Sequence, residues 1–364
     1  MKAGIVGLPN VGKSTLFNCL SNAKAQSANF PFCTIDPNIG VVNVPDPRLK
    51  RLESLVQPEK VVPATVEIVD IAGLVRGASK GEGLGNQFLS NIRETDAILH
   101  VLRCFDNDNI VHVDGSVDPI RDKETIDLEL QLKDLETVEK RLDKVSRSAR
   151  TGNKEAIKEQ EVLNQLQQGL AAATSIRSLS LSDDDRLAYV NAMQLLTDKP
   201  VLYVCNVDES SAVNGNAYVD QVRQVAEVEQ ADVLVLAVST EADINELDTY
   251  EERQLFLHDM GLTEPGAAKL IRAAYAMLNL HTYFTAGQKE VKAWTVLQGS
   301  TAPQAAGVIH TDFEKGFIRA EVISYADYDN YISEAKVKEA GKMRVEGKDY
   351  VVQDGDVMHF RFNV

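Results

Sequence analysis

The chain of 364 residues is long enough for two or three domains, and its 44% hydrophobic content is that of ordinary packed cores. A formal net charge of −16 argues against broad non-specific binding to nucleic acid, because the phosphate backbone carries the same sign. No run of about 18 apolar residues is present, so we expect no transmembrane helix. The four cysteines are scattered, which predicts a reduced, cytosolic protein with neither disulfides nor a metal cluster.

The first informative stretch fits the phosphate-binding pattern G-x-x-x-x-G-K-[ST] and reads Gly7-Leu8-Pro9-Asn10-Val11-Gly12-Lys13-Ser14. An apolar run at residues 3–6 predicts a buried strand before it, and residues 15–20 predict a helix after it. Glycines let the backbone form a cradle of N–H donors, and the start of a helix favours an anion. We expect Lys13 to reach the β- and γ-phosphates and the Ser14 hydroxyl to ligate Mg²⁺. The stretch therefore predicts a nucleotide-binding protein.

Strand and helix signals alternate on either side of an interruption in the middle of the chain. Apolar runs predict strands at residues 40–44, 65–70, 97–102, 200–205 and 233–238, and a helix is predicted near residues 217–228. This alternation predicts an α/β fold with a doubly wound parallel sheet, which binds nucleotides at the carboxyl ends of its strands.

The interruption at residues 121–173 carries heptad-spaced apolar positions, which predict an antiparallel helical hairpin around the turn Gly152-Asn153. Its first arm has Leu128, Leu135, Val138, Leu142 and Val145, and its second has Ala156, Leu163, Leu166, Leu170 and Ala173. Each arm is expected to project roughly 30–45 Å. The alternative is a set of amphipathic helices lying on the sheet. A further helix is predicted over residues 183–196, beginning with three aspartates.

Beyond residue 278, short strand signals alternate with turns. They fall at residues 292–296, 316–322 and 349–352 and in the apolar run 357–362 near the end of the chain. A segment of about 85 residues can fold alone, so we predict a small α+β domain here.

The partners of the phosphate-binding loop indicate the GTPase superclass. Asp70-Ile71-Ala72-Gly73 has the D-x-x-G form of switch II, in which Asp70 holds Mg²⁺ through water and the Gly73 N–H senses the γ-phosphate. Thr34 is the candidate switch I hydroxyl that completes the Mg²⁺ shell. Cys33 precedes it, so oxidation or alkylation of that thiol is expected to slow turnover unless the thiol is buried and inert.

The position that usually holds the catalytic glutamine is Leu74. Because a leucine cannot hydrogen-bond water, another group must position the attacking water. His112 is the candidate water-positioner or proton acceptor, and the alternative is a histidine in a surface loop.

The base-reading motif is also altered. Guanine-specific proteins carry N-K-x-D, whereas this chain has Asn206-Val207-Asp208-Glu209. The two-donor match of the aspartate to guanine is lost, so strong guanine selectivity is not expected. Val207 could pack on a purine face, although these residues alone do not imply adenine. Ser239 fits the last base-contacting loop.

The chain resembles the YchF-type Obg-like ATPases along essentially its whole length. The resemblance rests on the motifs at residues 4–15, 29–38, 70–88, 206–209, 301–307 and 316–320. It implies an Obg-type nucleotide domain at residues 1–119 and 200–277, an inserted helical domain at 120–199 and a β-grasp TGS domain at 278–364.

The same resemblance implies function. ATP is expected in preference to GTP, with Mg²⁺ held by Ser14 and Thr34. The residues expected to line the phosphates are Asn10, Val11, Gly12, Lys13, Ser14 and Thr15. The loop 206–209, with Val207, is expected to meet adenine, and the protein is expected to associate with the ribosome in the cytoplasm, as a monomer without membrane contact.

The expected partner surface is the end of the hairpin. Seven basic residues face two acidic ones there: Lys140, Arg141, Lys144, Arg147, Arg150, Lys154 and Lys158 against Asp143 and Glu155. A net charge of +5 in an acidic chain favours contact with ribosomal RNA phosphates, and the alternative is a solvated surface.

The leading functional hypothesis is a slow ATPase that switches its loops with nucleotide state. The alternatives are a ribosome-binding module with incidental turnover and a GTPase.

Overall fold

The computed structural model describes residues 1–22, 39–71, 77 and 85–363. The strands, in chain order, are β1 Lys2–Val6, β2 Ile39–Asn43, β3 Val61–Val62, β4 Thr65–Asp70, β5 Ala97–Arg103, β6 Val201–Asn206, β7 Asp232–Leu236, β8 Leu280–Ala286, β9 Val291–Leu297, β10 Phe317–Ser324, β11 Arg344–Glu346 and β12 Asp356–Phe362.

The longer helices follow the same order. They are α1 Lys13–Asn22, α2 Pro47–Val56, α3 Gly85–Arg93, α4 Pro119–Arg150, α5 Lys154–Ala171, α6 Ala217–Glu229, α7 Val238–Glu246, α8 Tyr250–Asp259, α9 Gly266–Met277, α10 Ala302–Ile309, α11 Thr311–Lys315, α12 Tyr325–Tyr331 and α13 Glu334–Glu339.

The first sheet has the strand order β2-β4-β1-β5-β6-β7. The pairs β1–β4, β1–β5, β5–β6 and β6–β7 are parallel. Every residue of the central strands β5 and β6 is buried, as expected for a parallel sheet covered on both faces. The predicted α/β sheet is confirmed, and the five strand predictions outside β1 each fall within two residues of the observed bounds.

The inserted hairpin is also confirmed. Helix α4 begins after Asp118, whose side chain accepts from the N–H groups of Ile120 and Arg121, and Asn153 caps α5 in the same way. Gly152 turns the chain between them with φ +84°. The arms are unequal, because α4 has 32 residues and α5 has 18, which correspond to about 48 and 27 Å.

Most predicted seam positions are buried together. The shared core contains Val138, Val145, Ala156, Leu163, Leu166 and Leu170, with Leu135 and Leu142 partly buried against it. Two positions differ from the prediction. Leu128 is 50% exposed, and Ala173 is exposed with φ +56°, just beyond the end of α5.

The helix predicted over residues 183–196 is present but irregular, and it ends at Met193. Short turns at Asp183–Asp185, Arg186–Val190 and Asn191–Met193 end where Gln194 takes φ +48°. The reason lies on α4, where the buried Asp134 carboxylate accepts from the N–H groups of Leu196 and Thr197 at 2.8 and 2.7 Å. Those N–H groups are therefore unavailable to a continuing helix.

The second sheet is mixed, with the order β11-β10-β12-β8-β9-β3. Strands β10–β11, β10–β12 and β8–β9 are antiparallel, whereas β12–β8 and β3–β9 are parallel. The strand predicted at residues 349–352 is wrong. Val351 forms only an isolated bridge with Thr301, because the chain there bonds to the loop before α10 instead of to the sheet.

The chain forms two compact units. One contains residues 1–41 and 67–270, and the other contains residues 42–66 and 271–364. Residues 42–66 thus group with the carboxyl-terminal segment, whereas the predicted boundaries assigned them to the nucleotide domain. Strand β3 pairs with β9, and Arg48 forms an ion pair of 2.7 Å with Asp354. None of the described helices is long and apolar enough to cross a membrane.

Candidate functional site

The phosphate-binding loop occupies residues 7–14, between β1 and the first turn of α1. Asn10 and Gly12 take the left-handed backbone region, with φ +63° and +101°. A Cβ on Gly12 would lie 2.5 Å from the Asn206 Nδ2 atom, so only glycine fits there. Val11 is buried, whereas Ser14 and Thr15 are exposed at the start of α1. The predicted loop residues are therefore gathered around one helix N-terminus.

Lys13 and Ser14 lie beside the carboxylate of Asp70 at the end of β4. The Ser14 hydroxyl lies 3.1 Å from Asp70 Oδ2, and the Lys13 ammonium donates to the carbonyl of Leu8 at 2.7 Å. Burial lowers the pKa of Lys13 to about 8, although Asp70 opposes the shift. Burial likewise raises the pKa of Asp70, against the effects of Ser14 and Lys13.

This pair of oxygen groups fits a hard divalent cation. Asp70 Oδ1 is buried and has no hydrogen-bond partner among the described residues. An unpartnered buried carboxylate oxygen next to a hydroxyl is the donor chemistry that Mg²⁺ prefers. The other predicted members of this site, Thr34 and Gly73, lie outside the described residues, as do Cys33 and Leu74.

Asn206 joins the phosphate-binding loop to the base-reading side of the sheet. Its Nδ2 donates to the carbonyl of Val11 at 2.9 Å, and its Oδ1 accepts from the Val238 N–H at 3.0 Å. Both polar atoms of the buried amide are thus used within the protein. Asn206 acts in this structure by fixing the backbone of residues 11 and 238.

The rest of the predicted base loop is divided between buried and exposed residues. Val207 is buried and its N–H donates to Leu236, so its side chain faces protein in this structure. Asp208 accepts from the Ser211 N–H and caps the following turn. Glu209 and Ser239 are exposed, the latter as the second residue of α7.

His112 follows a residue that contacts the phosphate-binding loop in space. The carbonyl of Val111 accepts from Asn10 Nδ2 at 3.2 Å. The imidazole is buried rather than on the surface, so the surface-loop alternative is wrong. Its Nε2 atom is 2.8 Å from Asp122 Oδ2, and its Nδ1 accepts from the Asp114 N–H at 3.1 Å. Burial raises the pKa of Asp122, against the effect of His112.

Arg103, at the end of β5, holds the segment that leads to His112. Its fully buried guanidinium donates to the carbonyls of Phe105, Asn107 and Ile110 at 2.9–3.1 Å. Arg103 was not predicted from the sequence, although a charged residue at the end of a mostly apolar strand was an available signal. Asp122 was also missed, since an acid in the first turn of a helix is ordinarily interpreted as favourable to the helix dipole.

The basic residues at the end of the hairpin are partly neutralised. Lys140 pairs with Glu136, Arg141 with Glu159, and Lys158 with Asp185. The exposed residues Lys144, Arg147, Arg150 and Lys154 make no ion pair within the described part of the chain. We call these four residues the hairpin tip. The positive surface is therefore smaller than the sequence count suggested, and it is concentrated around the turn.

A phosphate-binding loop between β1 and α1 of a parallel sheet, with the β4 carboxylate beside its serine, defines a P-loop nucleoside triphosphate-binding protein. A family profile described as a 50S ribosome-binding GTPase matches residues 2–144. A second profile, for the carboxyl-terminal region of YchF GTPases and described as a protein of unknown function, matches residues 280–363.

Similar proteins cover the whole chain. Proteins named ribosome-binding ATPase YchF from Haemophilus ducreyi, Escherichia coli O157:H7 and Bacillus subtilis are 59%, 57% and 55% identical to it. Each alignment spans 100% of this chain and at least 99% of the relative. The solved Schizosaccharomyces pombe YchF GTPase matches with a TM-score of 0.90 at 39% identity, over 99% of this chain and 97% of that one. The chain belongs to the YchF family.

Proposed function

We propose that this protein is a Mg²⁺-dependent ATPase whose nucleotide state controls its binding to the ribosome. The three relatives compared above carry the name ribosome-binding ATPase and are 55–59% identical over at least 99% of their length, which supports the same activity here. In this proposal the protein works as a monomer in the cytoplasm. In this proposal the nucleotide domain lies within residues 1–119 and 200–277, without residues 42–66, which group with the carboxyl-terminal unit. The helical insertion comprises residues 120–199, and a TGS domain is assigned to residues 278–364.

The observation that carries the proposal is the placement of Ser14 beside Asp70. The hydroxyl and the carboxylate are 3.1 Å apart, and the second carboxylate oxygen is buried without a partner among the described residues. Ser14 and Asp70 would hold Mg²⁺ together with Thr34. When bound, the ion neutralises charge on the phosphates and orients them.

The phosphate contacts are assigned to the loop and the first turn of α1. Asn10, Val11, Gly12, Lys13, Ser14 and Thr15 would line the phosphates, and the Gly73 N–H would sense the γ-phosphate. The start of α1 presents backbone N–H groups to an anion, and Lys13 adds a positive charge. His112 is assigned to the attacking water, because Leu74 cannot orient it.

The base contacts are assigned to the loop of Val207 and Glu209 and to Ser239. Asn206 supports this side of the site by fixing the backbone of residues 11 and 238. Guanine recognition needs a carboxylate that accepts from two donors, and the longer, exposed Glu209 does not reproduce the aspartate geometry. Val207 is buried and its N–H donates to Leu236, so in this structure it shapes the loop that carries Glu209. We therefore propose that ATP binds more tightly than GTP.

Titration calorimetry of ATP and GTP with Mg²⁺ tests this preference. A tenfold or larger preference for GTP, about 1.4 kcal/mol, would replace the ATPase assignment by the GTPase alternative. The double variant V207K/E209D should move the preference toward GTP. The incidental-turnover alternative is tested separately, since it predicts that ribosomes change nucleotide affinity without accelerating hydrolysis.

We assign ribosomal RNA contact to the hairpin tip. Four unpaired cations around one turn would release counterions from RNA phosphates, so binding should weaken steeply with salt. The variant R147E/R150E should reduce co-sedimentation with ribosomes and leave the ATPase activity of the free protein intact.

The matched control for this test is K336E/K338E, which makes the same charge change on the exposed surface of α13. Equal losses in the two double variants would assign the effect to total charge. If R147E/R150E co-sediments with ribosomes as well as the wild type does at low and physiological salt, the hairpin tip is only a solvated surface.

A further inference from the structure

The His112 ring is held by hydrogen bonds on both nitrogens. Because Nδ1 accepts from the Asp114 N–H, the ring proton lies on Nε2, which donates to Asp122 Oδ2 at 2.8 Å. A group that positions or deprotonates water needs a free ring nitrogen facing that water. In this arrangement neither nitrogen is free, so the imidazole cannot act on the attacking water.

The residues on either side of His112 have the opposite exposure. Val111 is 75% exposed and Val113 is 52% exposed, whereas His112 is 8% exposed. The imidazole and the two flanking side chains therefore lie on opposite sides of this segment. A rotation of this segment that brought the imidazole outward would therefore carry the two valines inward, and their burial would offset part of the lost hydrogen bonding.

The partner of His112 belongs to the helical insertion. Asp122 lies in the first turn of α4 and is 1% exposed, and its other oxygen is 3.4 Å from Arg121. Seven residues further along the same face of α4, Glu129 accepts from the Gly77 N–H at 2.7 Å. The root of the hairpin thus contacts both His112 and the backbone of Gly77.

We propose that Asp122 is a positioning residue that holds His112 turned into the protein, and that turnover requires this hydrogen bond to break. The inference rests on the proposed function, in which His112 acts on the attacking water. Removing the carboxylate leaves the Nε2–H without an acceptor, which destabilises the inward arrangement. An asparagine retains a neutral acceptor oxygen and weakens the hold less.

The first test is single-turnover hydrolysis of saturating Mg–ATP. We expect Asp122→Ala to be faster than the wild type by about tenfold, equivalent to about 1.4 kcal/mol, with Asp122→Asn between the two. The matched control is Asp134→Asn. It alters another buried carboxylate of α4, which accepts from Leu196 and Thr197 and has no hydrogen bond with His112. This variant should have a lower free energy of unfolding than the wild type but the same rate of turnover.

A second measurement follows the imidazole directly. Nitrogen-15 NMR of the six histidine rings, with His112→Ala as the assignment control, should show His112 as a protected Nε2–H tautomer in the wild type. The protection should be reduced in Asp122→Asn and lost in Asp122→Ala. In the double variant H112A/D122A, turnover should equal that of His112→Ala alone, because the effect of Asp122 passes through the imidazole.

The outcomes distinguish the catalytic role of His112 from the positioning role of Asp122. If His112→Ala hydrolyses ATP at the wild-type rate, His112 does not act on the attacking water. The proposed role of Asp122 in limiting turnover is then also wrong. If His112→Ala is slow while Asp122→Ala is no faster than the wild type, the proposed function stands and the inference is overturned. A slower Asp122→Ala or Asp122→Asn would instead make Asp122 a carboxylate that supports the base.

Discussion

Asn206→Ala tests the connection between the phosphate-binding loop and the base-reading side of the sheet. The substitution removes the donor to the Val11 carbonyl and the acceptor for the Val238 N–H, which lie at 2.9 and 3.0 Å from the amide. Both partners are backbone groups in a buried region, and Asn206 is itself buried. The truncated side chain cannot replace either bond.

The expected cost follows from the two groups left without partners. A buried backbone group that loses its hydrogen bond costs about 1–3 kcal/mol, so the free energy of unfolding should fall by about 3 kcal/mol. The Gly12 backbone packs directly against the amide. Loss of that support should loosen the loop, and we expect nucleotide affinity to fall at least about tenfold.

Urea unfolding followed by far-ultraviolet circular dichroism measures the stability, and titration with a fluorescent ATP analogue measures the affinity. Asn216→Ala is the matched control. Its amide donates to the Cys104 carbonyl and caps α6, so its loss should lower stability without altering affinity. Stability within about 0.5 kcal/mol of the wild type, together with unchanged affinity, would refute the connecting role of Asn206.

Two further predictions concern the loop lysine and the hairpin. Burial lowers the pKa of Lys13 to about 8, and bound phosphates would keep the ammonium protonated. The affinity for nucleotide should therefore be constant below about pH 8 and fall above it. At about pH 9, binding should take up as much as one proton per site. Calorimetry in buffers of different ionisation enthalpy measures this uptake, which Lys13→Arg should abolish; no uptake in the wild type would contradict the assignment. Leu166→Ala should destabilise the hairpin by about 2–5 kcal/mol in urea unfolding, because Leu166 is fully buried, whereas the half-exposed Leu128→Ala should change little. Equal effects of the two substitutions would contradict the observed seam.

Features that depend on neighbouring residues could be predicted from the amino-acid sequence. The phosphate-binding loop was recognisable because glycine, lysine and serine must stand at set intervals to surround an anion. The buried parallel strand β6 appeared as an unbroken apolar run at residues 200–205. Val138, Leu163 and Leu166 appeared in heptads because helix periodicity is local. The same reasoning placed the end of the helix at residues 183–196 too late, because Asp134 binds the Leu196 and Thr197 N–H groups that a longer helix would use.

Hydrogen bonds between distant residues could not be predicted from the sequence, because they depend on how the chain folds. Asn206 is 195 residues from Val11, and nothing in the local pattern of either segment specifies that the amide closes the loop instead of facing a base. From the sequence alone, His112 is a histidine in a loop and Asp122 is an acid in the first turn of a helix. The hydrogen bond between them depends on the direction in which α4 leaves the sheet. The charge of the hairpin tip was likewise reduced by Glu136, Glu159 and Asp185, because side chains pair by distance in space and the sequence records only distance along the chain.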